Sequence, residues 1–222
     1  MKKLLLLFLF LISVPMAGQN DCSPFYPSRE GQTYTINQYN KKDKLSTITE
    51  YTITNVSSGT INLDMKIKDE DGEEIVSGVF EVNCKNGETQ LKPEAIIPAG
   101  LLEQYKNMEY TVTGNGMTYP ETLSVGQTLP DGEIFMKVDA GMMNMSIEIT
   151  MTDRKVEKME NIRTPAGSFD CYVISYTNEL KMGIKKTNFS TQWISEGVGM
   201  VKEETRKSNG KLITRSILNK IE

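Results

Sequence analysis

The chain has 222 residues, 38% of them hydrophobic and 24% charged, with 25 basic against 29 acidic side chains and no histidine. That size suits one globular domain with a full core, and the mild acidity without a clustered Lys/Arg stripe excludes a binder that must neutralise nucleic-acid phosphates. The missing histidine excludes Ser/His/Asp and Cys/His nucleophilic catalysis and every His-ligated zinc or iron site, which leaves carboxylate chemistry, oxygen-ligand calcium sites and Met/Cys coordination of soft metals.

At the start of the chain, Lys2 and Lys3, an apolar run over residues 4–12 and the small residues Ala17 and Gly18 predict a secretory signal peptide over residues 1–18. One mature domain over residues 19–222 follows. The apolar run is shorter than the ~20 residues of a membrane anchor, so no membrane span is expected after cleavage. Loss of the two lysines moves the net charge from −4 to −6. Gln19, Asn20 and Asp21 are unlike the small residues that precede a lipid-modified cysteine. Export implies an oxidising compartment, where Cys22, Cys84 and Cys171 supply one disulfide and leave one thiol over, with the pairing open. The expected location is the periplasm, the outer membrane or the outside of the cell.

An extended arm with Pro24 and Pro27 precedes a strand at residues 32–39, a turn at 41–44 and a returning strand at 47–56. Ile61, Leu63, Met65 and Ile67 alternate with polar residues, the period of a half-buried strand. Asp71-Gly72 marks a hairpin, and Val76, Phe80, Val82 and Cys84 share one parity beyond it. Asn86-Gly87 supplies another turn. Ile97, Leu101, Leu102 and Tyr105 then recur at helical spacing, and Pro98 and Gly100 restrict the helix to about residues 99–107. A short strand at 109–113 leads into a loop marked by Gly114, Gly116, Pro120, Gly126 and Pro130. Ile134, Met136 and Val138 resume the strands facing one way. Met143, Met145, Ile147, Ile149 and Met151 form one face of a long amphipathic strand, whose parity slips near residues 153–155, the mark of a bulge. Strands at 168–177, 185–194, 199–207 and 211–218 complete the chain, the last two joined by Asn209-Gly210.

Four features invite a chemical reading. Met143 and Met145 share a strand face and thioethers bind Cu(I), but Ile147 and Ile149 continue that face without a soft ligand, so the methionines read as an adaptable apolar wall. Asp69, Asp71 and Glu73 alternate as calcium ligands do, yet strands flank them, and a solvated hairpin tip fits better. Two carboxylates facing across a cleft would permit glycoside hydrolysis, although the sequence does not single out a pair among its 29 acidic residues. Trp193 and the tyrosines at 34, 39, 51, 172 and 176 could serve a sugar or lipid site or simply fill the core.

The cysteine ahead of FYPSREGQTY, the stretch MTDRKVEKMENIRTPAGSFDCYVISY and the segment WISEGVGMVKEE resemble the TapB-like family of exported bacterial proteins, a domain of unknown function. The resemblance spans most of the mature chain and implies an extracytoplasmic β-rich domain, with no catalytic residues to carry over. By architecture alone the chain is also loosely similar to unclosed-barrel envelope proteins that shuttle lipids or lipoproteins.

The expectation is therefore an all-β protein, a strongly curved antiparallel sheet or open β-barrel of about ten strands with one short helix against its concave side. Its expected role is non-catalytic, in the cell envelope, with no cofactor and no metal. The partner is a hydrophobic or amphipathic small molecule or lipid held on the concave face, lined by Met136, Met143, Met145, Ile147, Ile149, Met151, Leu101, Tyr105 and Trp193. The alternatives are a structural component that binds another envelope protein and a carboxylate-dependent hydrolase.

Overall fold

The computed structural model describes residues 22–105, 107–139, 141 and 144–222; the expected signal peptide and the expected lining residue Met143 lie outside them. Twelve strands follow one another along the described residues. They are β1 (Thr33–Asn40), β2 (Leu45–Ser57), β3 (Thr60–Asp69), β4 (Glu74–Lys85), β5 (Glu88–Leu91), β6 (Glu109–Tyr119), β7 (Gly132–Asp139), β8 (Asn144–Thr164), β9 (Gly167–Met182), β10 (Ile184–Ser195), β11 (Gly199–Arg206) and β12 (Leu212–Ile221). A 3-10 turn (Pro93–Ile96) and one short helix, α1 (Ala99–Tyr105), link β5 to β6. Every strand pairs antiparallel with its chain neighbour, and β1 pairs with β12, so the sheet closes into a barrel.

The all-β curved sheet with one short helix is thus the architecture, with twelve strands in place of about ten and with the edges joined. Closure removes the unpaired edges that an open sheet would expose. Alternation produces the inside and the outside: β7 is buried at every second residue, with Ile134, Met136 and Val138 turned in. The strand missed in sequence is β5, four residues squeezed between the Asn86-Gly87 turn and Pro93. The other discrepancy is β6, which runs six residues past the expected end, through Gly114 and Gly116. Both glycines serve close approach rather than a loop. A Cβ on Gly114 would lie 2.2 Å from the Glu133 carbonyl oxygen, and one on Gly116 would lie 1.8 Å from that of Leu91.

The parity slip in β8 is a bulge. Asp153 has φ 56°, and the pairing with β9 shifts between Thr152 and Lys155. The inward set changes from Ile147, Ile149 and Met151 to Arg154 and Val156. Arg154, fully buried, donates from Nη1 to the Pro130 carbonyl at 2.7 Å, and from both Nη1 and Nη2 to that of Thr118 at 3.3 Å. Its own carbonyl accepts from Leu129 N at 2.8 Å. The bulge therefore pins the 120–131 connection across the barrel wall.

The two ends of the barrel are closed differently. Helix α1 lies at the end that holds the β9–β10 turn, where the Tyr105 hydroxyl meets Met182 Sδ at 3.2 Å. At the opposite end the N-terminal arm is fixed by the Cys22–Cys84 disulfide, by Ser23 N donating to Thr89 Oγ1 at 2.8 Å, and by Gly197 N donating to the Pro24 carbonyl at 2.7 Å. Cys171 is the free, buried cysteine. Among the described residues no helix is long and apolar enough to cross a membrane.

Candidate functional site

The interior is not packed solid. A cavity of about 590 Å³ lies inside the barrel, within the size range that encloses most of a drug-sized ligand, and its wall follows the order of the strands. From β3 through β8 the lining is apolar: Leu63, Met65 and Ile67 on β3, Leu91 on β5, Ile96 and Ile97 beside the 3-10 turn, Met117 on β6, Ile134 on β7, and Ile149 and Met151 on β8. From β9 through β12 and on to β2 it is mostly polar: Tyr176 and Asn178, Asn188 and Gln192, Glu203 and Thr205, Thr214 and Ser216, Gln38, and Thr47, Thr49 and Tyr51. Leu180, Met200 and Ile36 are apolar exceptions in this half, and Tyr119 a polar exception in the other.

The polar half is a ladder of cross-strand neighbours. Gln192 faces Glu203, Glu203 faces Ser216, Ser216 faces Gln38, and Gln38 faces Thr47, an unbroken row over five strands. Gln192 Nε2 donates to Glu203 Oε2 at 3.3 Å, and Gln38 Nε2 donates to Ser216 Oγ at 3.3 Å. A parallel row brings the Ser190 and Thr205 hydroxyls within 3.0 Å. Gln192 is 3% exposed, and its Oε1 has no hydrogen-bond partner. A buried acceptor left unmatched costs free energy comparable to a lost hydrogen bond.

Electrostatically the cavity is weakly acidic, with Glu203 as the one carboxylate in its lining. Burial raises the Glu203 carboxyl above the usual carboxylate range, partly offset by hydrogen bonds from Tyr176 and Gln192. Glu203 is half-buried by accessibility because its free surface opens into the cavity rather than to bulk solvent. It takes part in none of the ion pairs among the described residues. Burial pushes the Tyr119 hydroxyl up to about 12 and holds those of Tyr26, Tyr51 and Tyr176 well above their ordinary value, so all remain neutral hydrogen-bonding groups.

Of the expected lining residues, Ile149 and Met151 stand on the cavity wall. Met136 and Ile147 are turned inward and fully buried, and Met145 is half-buried against the same core, but none of the three borders the cavity. Leu101 and Tyr105 are buried on α1 without bordering the cavity, which residues 95–98 and Gly100 reach instead. Trp193 does not line the cavity. It belongs to a separate cluster with Cys171, Val173 and Val201, donates from Nε1 to Glu160 Oε2 at 3.1 Å, and carries the Lys202 ammonium 4.3 Å above its ring. The Asp69 loop is a hairpin tip whose Oδ1 accepts from the backbone of Asp71 and Glu73. Among the described residues no group of three metal-ligating His, Cys, Asp or Glu side chains is assembled.

Sequence reasoning missed Gln192, Glu203, Ser216 and Gln38. On their strands both faces carry polar residues, and a polar side chain facing a cavity has the same period as one facing water. The available signals were parity with buried apolar neighbours: Gln192 with Ile194, Ser216 with Leu218 and Gln38 with Ile36.

A shallower depression of about 700 Å³, at the ends of β6, β7 and β8, is lined by solvent-facing residues including Glu109, Lys137 and Asp139.

The family model described as DUF3108-like matches residues 29–218. A candidate lipoprotein from Parabacteroides distasonis ATCC 8503 shares the fold at a TM-score of 0.76 with 23% identity, over 90% of this chain and 99% of that one. A candidate exported protein with a YmcC-like fold from Bacteroides fragilis NCTC 9343 matches at a TM-score of 0.74 with 22% identity, over 90% and 100%. No curated protein matches the sequence.

Proposed function

This chain belongs to the DUF3108-like family, and from that premise we propose that it is a non-catalytic, exported protein of the cell envelope that holds a hydrophobic or amphipathic small molecule inside its barrel. The observation that carries the proposal is the 590 Å³ cavity with an apolar wall formed by β3, the 3-10 segment and β5 to β8. An apolar wall of that extent gains dispersion contacts and loses exposed apolar surface when a hydrophobic group rests on it. Export is supported by the signal-like N-terminus, by the Cys22–Cys84 disulfide, and by the candidate exported protein and candidate lipoprotein that share the fold. With its sulfur in that disulfide, Cys22 has no thiol to receive a lipid, so the chain is exported without an anchor at this residue. The finer TapB-like assignment within the family rests on the TPAGSFDCYVI and WISEGVGMVK segments.

The hydrolase alternative needs two facing carboxylates, and the cavity lining contains one, Glu203. The proposal is tested by titrating the mature protein with N-phenyl-1-naphthylamine, a neutral apolar fluorophore. Saturable one-to-one binding, weakened at least tenfold by the cavity-filling variant Met65→Trp with an unchanged circular dichroism spectrum, supports it. Absence of saturable binding overturns it.

A further inference from the structure

The cavity wall is divided lengthwise. Its polar half is a contiguous block, β9 to β2 in the closed strand order, and the remaining lining, from β3, the 3-10 segment and β5 to β8, is apolar. A ligand with a terminal head and a long tail calls for a polar end and an apolar end. Here, toward the end of the barrel that holds α1, the lining includes polar Asn188 and Thr214 together with apolar Ile67, and further in it includes polar Gln192 and Glu203 together with apolar Leu63 and Ile134. Both surfaces therefore run along the same length of the cavity.

The polar block also has a sign. The acceptor it presents to the cavity is the Glu203 carboxyl, which lines the space with no cationic side chain paired to it. Gln192 Oε1 is closed off from the cavity, and Gln192 acts through Nε2, which donates to Glu203 Oε2 and holds that carboxyl in place. The group that completes this wall must donate hydrogen bonds sideways while the opposite face of the same molecule rests on apolar side chains.

Resting on the proposed carrier role, we infer that the ligand is a facial amphiphile: a rigid, uncharged or cationic molecule with hydroxyl or amine donors along one face, seated with that face on Glu203 and the polar row beside it and its other face on the apolar wall of β3 and β5 to β8. An anionic group on the polar face is disfavoured, because it would stand beside the Glu203 carboxyl in a space where burial already disfavours charge.

Calorimetric titration of the mature protein with three probes tests this. The probes are an uncharged steroid with three hydroxyls on one face, the same nucleus with a single hydroxyl, and 1-dodecanol. The trihydroxy probe is expected to bind at least tenfold tighter than either other probe, the value of one charge-assisted hydrogen bond. Gln192→Leu should remove that advantage and leave the monohydroxy affinity within twofold. Glu203→Gln, which replaces an acceptor oxygen with a donor at constant shape, should cut the advantage at least fivefold. Binding of 1-dodecanol as tight as the trihydroxy probe, or an equal loss of all three probes in Gln192→Leu, overturns the facial assignment and leaves the carrier role intact. Binding of none of the three also overturns the facial assignment, while the carrier role stands or falls with the N-phenyl-1-naphthylamine titration.

Discussion

Gln192 and Glu203 face each other across β10 and β11, joined by a 3.3 Å hydrogen bond from Nε2 to Oε2, on the inside of a barrel whose opposite wall is apolar. This pair gives stability one pH-dependent contribution. Burial raises the Glu203 pKa above its ordinary value of 4.5, so the folded state disfavours the ionised form. Its contribution to stability is whole below pH 4.5 and is lost as pH rises through the folded value. Glu203→Gln should therefore melt higher than the wild type at pH 8, with the gain shrinking on acidification and gone below about pH 4. Scanning calorimetry from pH 4 to 8 checks this, and a pH-independent difference would contradict it.

Arg154 is held by backbone carbonyls rather than by a carboxylate. Arg154→Met removes the hydrogen bonds to the Pro130 and Thr118 carbonyls and strands those acceptors, at a cost of about 2–4 kcal/mol. The effect should be local. Hydrogen exchange should rise first in residues 120–131, at the amides of Gly126 and Leu129 that pair with Val156 and Arg154.

The glycines of β6 differ sharply from that of α1. Gly116→Ala places a Cβ 1.8 Å from the Leu91 carbonyl oxygen at a φ of 66°, and should cost more than about 4 kcal/mol or prevent folding. Gly100→Ala meets nothing within 4 Å and lies in a helix, so it should stabilise by up to about 1 kcal/mol. Urea denaturation of the two variants separates these outcomes.

The disulfide closes a loop over a sequence separation of 62. A Cys22→Ser/Cys84→Ser double variant should lose about 4 kcal/mol by the chain-entropy account. Cys171 is buried, and its thiol is pushed up to about 11 by desolvation, with Asp170 and Glu160 adding to the shift. It should resist maleimide at pH 7.5 in the folded protein and react fully, as one thiol per chain, in denaturant.

The outer form of the molecule was legible in the sequence because barrel strands advertise themselves. Alternation in Ile61 to Ile67 and Met145 to Met151, the Asp71-Gly72 and Asn209-Gly210 turns, and the parity slip at Asp153 each correspond to a strand, a hairpin or a bulge. Closure was not legible, because pairing of β1 with β12 depends on accumulated twist and stagger rather than on local pattern. The cavity was half legible. Ile149 and Met151 were identified because an apolar stripe has one obvious destination. Glu203 and Gln192 were not, because a polar residue that faces a cavity looks in sequence like one that faces solvent. The position of Trp193 shows the converse: a lone tryptophan near the core is drawn to a ligand site by expectation, while here its indole N–H finds Glu160 and its ring Lys202.

The central claim is that the barrel is a container, and native mass spectrometry of the mature protein purified from its own cell envelope tests it most directly. The account predicts a retained, non-covalent adduct with the mass of a single small amphiphile, one per chain, released on collisional activation and lost from a Met65→Trp variant that fills the cavity. A spectrum showing only the bare polypeptide, with wild type and variant alike, would contradict it.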